Sequence, residues 1–147
     1  MYLQKEVILM KVLLTSHGHL AQGVASGFEF IAGKTGYIKV VELDEAGIGL
    51  YRERLTHLLS SETDPVLILA DLKGGTPYNE CFKYYLAHTE KVRLVSGMNL
   101  PMLLELIPQL TDQTSLDEAV QIVLEAGTSG INTAKAEPDN DDDEIEF

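Results

Sequence analysis

A chain of 147 residues, 45% of them hydrophobic, is the usual size for one domain with a real core. A formal net charge of −12 argues against nucleic acid as a partner, because a phosphate backbone needs stripes of Lys and Arg that are missing here. Cys81 is the only cysteine, so an intrachain disulfide and a cysteine zinc cluster are excluded, and no run is long and apolar enough to span a bilayer.

Residues 7–15 read as a buried strand. They lack a small-residue cleavage site, so a strand fits better than a signal peptide and the protein reads as cytoplasmic. Met10 offers an alternative start, since 10–15 alone would make a sufficient first strand. Leu20, Val24, Phe28 and Ile31 stand at helical spacing and predict an amphipathic helix over 20–31, ended by Gly33 and Gly36. A second strand is expected over 37–43. Ile48, Tyr51, Leu55 and Leu58 predict a helix over 48–59, and Thr63-Asp64-Pro65 breaks the chain before an apolar strand at 65–70.

The stretch Ala70-Asp-Leu-Lys-Gly-Gly-Thr-Pro-Tyr-Asn79 then turns strand into helix. Gly74 and Gly75 would let backbone approach a ligand, Thr76 would serve as N-cap, and Pro77 suits the first helical position. Tyr78, Cys81, Phe82 and Tyr85 would form the helix's apolar face, making Cys81 a buried structural thiol. The free amides at such a helix start suit a phosphate-sized anion. A plain capped helix after a glycine turn would show the same residues. A fourth strand follows at 92–96, closed by Gly97-Met-Asn-Leu-Pro101, and a short helix is expected from 102 to 107. Ser115-Leu-Asp-Glu118 is a capping box, and Leu116, Ala119, Val120 and Val123 give the last helix its buried face before Gly127 stops it. Residues 131–134 would suit one more short strand. From Glu137 onward there are seven acids and no base, so the domain is expected over 1–134 and an acidic, disordered tail over 135–147. Such a tail could steer a basic partner, although a solvated tail needs no partner.

Alternating apolar strands and helices imply an α/β fold, a mostly parallel β-sheet with helices on both faces. Ligands in such sheets sit beyond the carboxyl ends of the strands, where three loops converge: Ser16-His-Gly-His19, 71–76 and 97–101. His17 and Asp71 can then meet. The carboxylate would hold one ring nitrogen protonated and leave the other free as a nucleophile, next to a phosphate-cradling loop that includes Thr76. A His17 that merely caps the first helix, with Asp71 capping its own turn, is the alternative for each residue taken singly.

Three motifs, Thr15-Ser-His-Gly18, Asp71-Leu-Lys-Gly-Gly-Thr-Pro-Tyr-Asn79 and Ser96-Gly-Met-Asn-Leu-Pro-Met102, each end an expected strand. Together they resemble the enzyme IIA domain of the mannose-type sugar phosphotransferase system (PTS) over roughly 11–134. The resemblance implies that His17 receives phosphate from the phosphocarrier protein HPr and passes it to a IIB component, which phosphorylates a sugar entering through a IIC/IID membrane permease. It further implies that Asp71 orients His17 and that the Thr76 hydroxyl contacts the phosphoryl group, with Gly74, Gly75 and Thr76 forming the phosphate-binding loop. Ser is also common at the Thr76 position, and some members carry an aromatic residue where this chain has Lys73. The same resemblance implies transfer without a metal or other cofactor, and a homodimer that exchanges the strand expected at 131–134.

His57 and His88 fall on or at the ends of helices without ligand spacing. His19 lies nearer the site and could line the pocket or compete as phosphoacceptor, but no second carboxylate is evident to orient it. A receiver-like domain phosphorylated on Asp71 would need an acidic pair after the first strand, where Ser16-His-Gly-His19 stands instead. The phosphotransfer subunit of a dihydroxyacetone kinase, with the same architecture and histidine, stays open, as does a non-catalytic regulatory module.

Overall fold

The computed structural model describes residues 9–137. Four strands, β1 (Lys11–His17), β2 (Ile38–Leu43), β3 (Val66–Ala70) and β4 (Val92–Ser96), form one all-parallel sheet in the order β2-β1-β3-β4. The helices are α1 (Leu20–Ala32), α2 (Ile48–Ser61), α3 (Thr76–Ala87), α4 (Leu100–Leu106) and α5 (Leu116–Ser129), with a 3-10 turn at Ile107–Gln109. This is the α/β architecture expected from the alternation of strands and helices.

Period-two alternation sends neighbouring strand residues into different cores. Val12 and Leu14 of β1, with Leu67 and Leu69 of β3, pack against α1, α4 and α5. Leu13, Val66, Ile68 and Val92 face Tyr51, Leu55, Leu59 and Cys81 of α2 and α3. Every residue of β3 is buried, because helices cover both faces and strands flank both edges. The same alternation puts His17 on the face of Leu13 and Thr15, toward α3. Cys81 is fully buried, and burial pushes its thiol up to about 12.

Several local expectations are corrected. Gly75, in extended conformation, is the N-cap of α3 and Thr76 its first residue, so Thr76 is not the cap. Gly127 does not end α5. It is buried inside the helix, where a Cβ would come within 2.6 Å of Met102 Cε, and the helix runs on to Ser129. The glycine there answers close helix packing and not a stop signal. α4 begins at Leu100, earlier than expected, because Asn99 Oδ1 accepts the Met102 N–H at 3.2 Å as an N-cap. On α3, Pro77 and Cys81 are buried while Phe82 is exposed and stacks on Tyr78. On α1, Ala21 and Phe28 are buried but Leu20 is exposed; on α2, Leu59 and not Ile48 completes the buried face.

Residues 131–134 form no strand, and Ile131 stands 79% exposed. A strand needs a partner backbone, and no strand among the described residues pairs with that segment. Lys135 to Glu137 are exposed without regular structure; the rest of the expected acidic tail, 138–147, and the first residues of the expected first strand, 7 and 8, lie outside the described residues. No helix among the described residues is long and apolar enough to cross a membrane.

Candidate phosphoacceptor site

Parallel pairing aligns the carboxyl ends of β1 and β3. Thr15 stands opposite Ala70, and the Asp71 N–H donates to Thr15 O at 3.2 Å, so the ladder runs one step past the strand end. Asp71 therefore arrives beside His17. One carboxylate oxygen, Oδ2, accepts from both the His17 backbone N–H at 3.0 Å and ring Nδ1 at 2.8 Å. The pair foreseen from sequence is formed.

Burial alone would raise the Asp71 carboxyl, but the His17 backbone N–H, the His17 ring and the Leu72 amide outweigh it and hold the group below its ordinary value. An ionised carboxylate can only accept, so the shared proton belongs to Nδ1. In the neutral ring that leaves the lone pair on Nε2. The other carboxylate oxygen, Oδ1, is buried and has no hydrogen-bond partner among the described residues. The His17 side chain is half exposed, whereas that of Asp71 is 8% exposed.

Gly75 closes the far side of the ring. A Cβ there would stand 2.6 Å from His17 Cε1 and 3.3 Å from Nε2, so only glycine admits the imidazole in this position. The Gly75 N–H donates to Leu72 O at 3.1 Å and is engaged in the turn. Gly75 thus contributes close approach, while the amides of Gly74, Thr76 and Tyr78, which make no hydrogen bond among the described residues, open the N-terminus of α3. Gly74 takes the left-handed φ of 82°, and Asn79 Nδ2 donates to its carbonyl at 3.0 Å, fixing the loop. The half-buried Thr76 has a hydroxyl with no internal hydrogen bond.

Two other helix starts at this edge, those of α1 and α4, are occupied by side chains. Ser16 Oγ accepts the Ala21 N–H at 2.8 Å and Glu42 Oε2 accepts the Gln22 N–H at 3.0 Å, so side chains fill the N-terminus of α1. Asn99 does the same for α4, and its Nδ2 donates to Gly127 O at 3.0 Å, tying the third motif to α5. Among the described residues that motif makes no hydrogen bond to the His17–Asp71 pair itself, and its Met98 N–H donates to Ala70 O at 3.0 Å. Beneath the site, Thr15 Oγ1 and Tyr51 Oη lie 2.6 Å apart, and Tyr51 Oη donates to Pro77 O at 3.4 Å, linking β1, α2 and the first turn of α3. Burial, the first of several causes, pushes the Tyr51 hydroxyl up, so it stays protonated as a donor.

Sequence reasoning missed one pair. His19 does have a carboxylate: Glu42 Oε1 lies 3.1 Å from its Nδ1. The signal exists only in the β1–β2 register, which sets Ser16 opposite Glu42. His57 is exposed on α2, and His88, at the end of α3, stacks on Tyr84 with centroids 4.0 Å apart. Among the described residues no group of three or more His, Cys, Asp or Glu side chains stands close enough to hold a metal ion.

Chemically, the arrangement offers an oriented imidazole with a free Nε2, a carboxylate to support positive charge on the ring, and uncommitted amides with a hydroxyl beside it. Comparison with known proteins follows the same lines. The EIIA-man family model, described as "PTS system fructose IIA component", matches residues 11–124. The mannose-specific EIIAB component of the PTS of Escherichia coli K12 is 31% identical over 132 residues, covering 86% of this chain and 40% of that protein. The chain thus spans well under half the length of those relatives. The sorbose-specific EIIA component of Lacticaseibacillus casei is 30% identical over 98 residues, covering 65% of this chain and 70% of that one. Among solved structures, the EIIA component from Streptococcus agalactiae superposes with a TM-score of 0.76 at 28% identity, covering 84% of this chain and 96% of that one.

Proposed function

This chain belongs to the EIIA-man family of phosphotransferase-system components, and from that premise we propose that it is a phosphoryl carrier with His17 Nε2 as acceptor. The supporting observation is the ring itself: Nδ1 is pinned to Asp71 Oδ2 at 2.8 Å, and Nε2 faces a loop that only Gly75 lets approach.

In the proposed step, the Nε2 lone pair attacks the phosphorus of a phosphohistidine on HPr. The Nε2–P bond forms as the donor's N–P bond breaks, and the electron pair stays with the donor nitrogen. His17 keeps its Nδ1 proton, so the ring gains positive charge, which the Asp71 carboxylate stabilises. Negative charge on the phosphoryl oxygens meets the amides of Gly74, Thr76 and Tyr78 and the Thr76 hydroxyl. Little covalent work is asked of the protein; positioning and fixed dipoles carry the step. A IIB component then takes the phosphoryl group by the reverse geometry and serves a sugar permease in the membrane.

In this reading 1–134 is one IIA domain working in the cytoplasm, followed by an acidic segment, and it pairs as a homodimer through 131–134. The chemistry is tested by incubation with phosphoenolpyruvate, enzyme I and HPr, followed by intact mass and acid lability of the product. One acid-labile phosphate on the wild type, absent from His17→Gln, is expected. An acid-stable label, or a labelled His17→Gln, would refute the assignment.

A further inference from the structure

We propose that His19, held by Glu42, is the residue through which the rim of the site recognises the phosphorylated form of a docking protein, an inference that rests on the carrier reading of His17. His19 follows His17 by two residues, so their Cα atoms are at most about 7 Å apart. The two rings diverge from Gly18. His17 turns to Asp71 at the end of β3, and His19 turns to Glu42 on β2. A protein interface covers about 800 Å² on each partner, a disc of roughly 16 Å radius. A partner centred on His17 Nε2 therefore covers His19, whose side chain is 82% exposed without it.

Glu42 is fixed in place. Its Oε2 caps the Gln22 N–H while Oε1 holds the His19 ring. The Glu42 hydrogen bond, then its charge, with Asp44 and Glu45 of the following turn, raise His19 above its ordinary 6.5 against slight desolvation. His17 lies two residues away on β1, and α2 brings His57 and Arg54 to the hollow that Glu42 and Asp44 line, Arg54 standing 3.6 Å from Asp44. A protonated His19 sets positive charge among Glu42, Asp44 and Glu45, which would otherwise repel an incoming phosphoryl group. It favours the phosphorylated donor over the dephosphorylated product. With one carboxylate and no amide cradle, His19 is built as a contact and not as a second acceptor.

The test is steady-state transfer from phosphorylated HPr between about pH 5.5 and 8.5, reading KM and kcat for wild type, His19→Gln, His19→Lys and Glu42→Gln. Dividing the wild-type KM by that of His19→Gln at each pH cancels titration of the donor and of His17. The ratio should sit about threefold below one at low pH and climb to one as His19 loses its proton. His19→Lys should keep the low KM to the top of the range. Glu42→Gln, whose amide oxygen still accepts from Gln22, should move the climb to lower pH. In all of them kcat at saturating donor should follow the wild type. A ratio flat at one, or a change confined to kcat, overturns the inference while the wild type still takes phosphate. A wild type that takes none overturns the carrier reading and this inference with it.

Discussion

Gly75→Ala isolates the fit between loop and imidazole. Gly75 has φ −74° and ψ 165°, a conformation any residue adopts, so alanine adds no backbone strain. It adds one methyl group 2.6 Å from His17 Cε1, where ordinary contact begins near 3.4 Å, so the ring must retreat by about 0.8 Å. The 2.8 Å Nδ1–Oδ2 bond cannot keep its geometry through a shift of that size. A misplacement near 1 Å at a reacting atom corresponds to about 100-fold in rate. Phosphohistidine formation, followed by rapid quench and intact mass, should fall by about that factor. Melting should hardly move, because the displaced atoms end a half-exposed side chain; the smaller freedom of the unfolded chain even favours alanine by about 0.4–1 kcal/mol. Gly74→Ala is the counterpart. Its φ of 82° strains alanine, by about 1–2 kcal/mol, yet nothing lies within 4 Å of the new Cβ, so stability drops and the rate falls less. A Gly75→Ala protein that transfers at the wild-type rate would refute the close-approach argument.

Thr76→Ala should leave melting unchanged, because the hydroxyl makes no internal bond, but slow transfer by about 1.5–3 kcal/mol; a wild-type rate would mean that backbone alone forms the cradle. Tyr51→Phe strands the buried Thr15 hydroxyl, 2.6 Å from Tyr51 Oη, and should destabilise by about 1–3 kcal/mol, roughly 3–10 °C in Tm. An unchanged thermal melt would remove the network from the account. Asp71 is held below its ordinary 3.8 in the folded protein, so its stabilisation is complete above that value and is lost as pH falls through the folded one. The Tm gap between wild type and Asp71→Asn should therefore narrow in acid, and a constant gap from neutral to strongly acidic pH would contradict the shift. Asp71→Asn should also slow transfer without unfolding the protein.

What was legible in the sequence followed local rules. The apolar run at 65–70 read as a strand of a sheet covered on both faces, and loops after β1 and β3 share an edge of such a sheet, so His17 and Asp71 could be expected to meet. Glycines were read less well, because one residue type answers several demands. Gly33 does end α1, with its N–H on Glu29 O at 2.9 Å, whereas Gly127 makes room for Met102, a neighbour from another helix. Nothing local distinguishes the two. The His19–Glu42 pair needed the β1–β2 register, a long-range pairing that no local spacing encodes. Residues 131–134 have strand-forming composition at their start, but pairing decides a strand, and the described residues offer no partner there.

The floor and rim of the site answer to different pressures. Val66 to Ala70 are wholly packed, and truncating one of those large aliphatics removes about 2–5 kcal/mol. Leu72 is 60% exposed, with Lys73 exposed beside it, and substitutions at such positions usually change stability by less than about 0.5 kcal/mol. The rim can therefore change at almost no thermodynamic risk, whereas the packed strand beneath His17 and Asp71 tolerates little. Duplicated carriers in one cell could be insulated from cross-talk by a few changes around Leu72, Lys73 and His19, each lineage keeping the same chemistry while learning a different address.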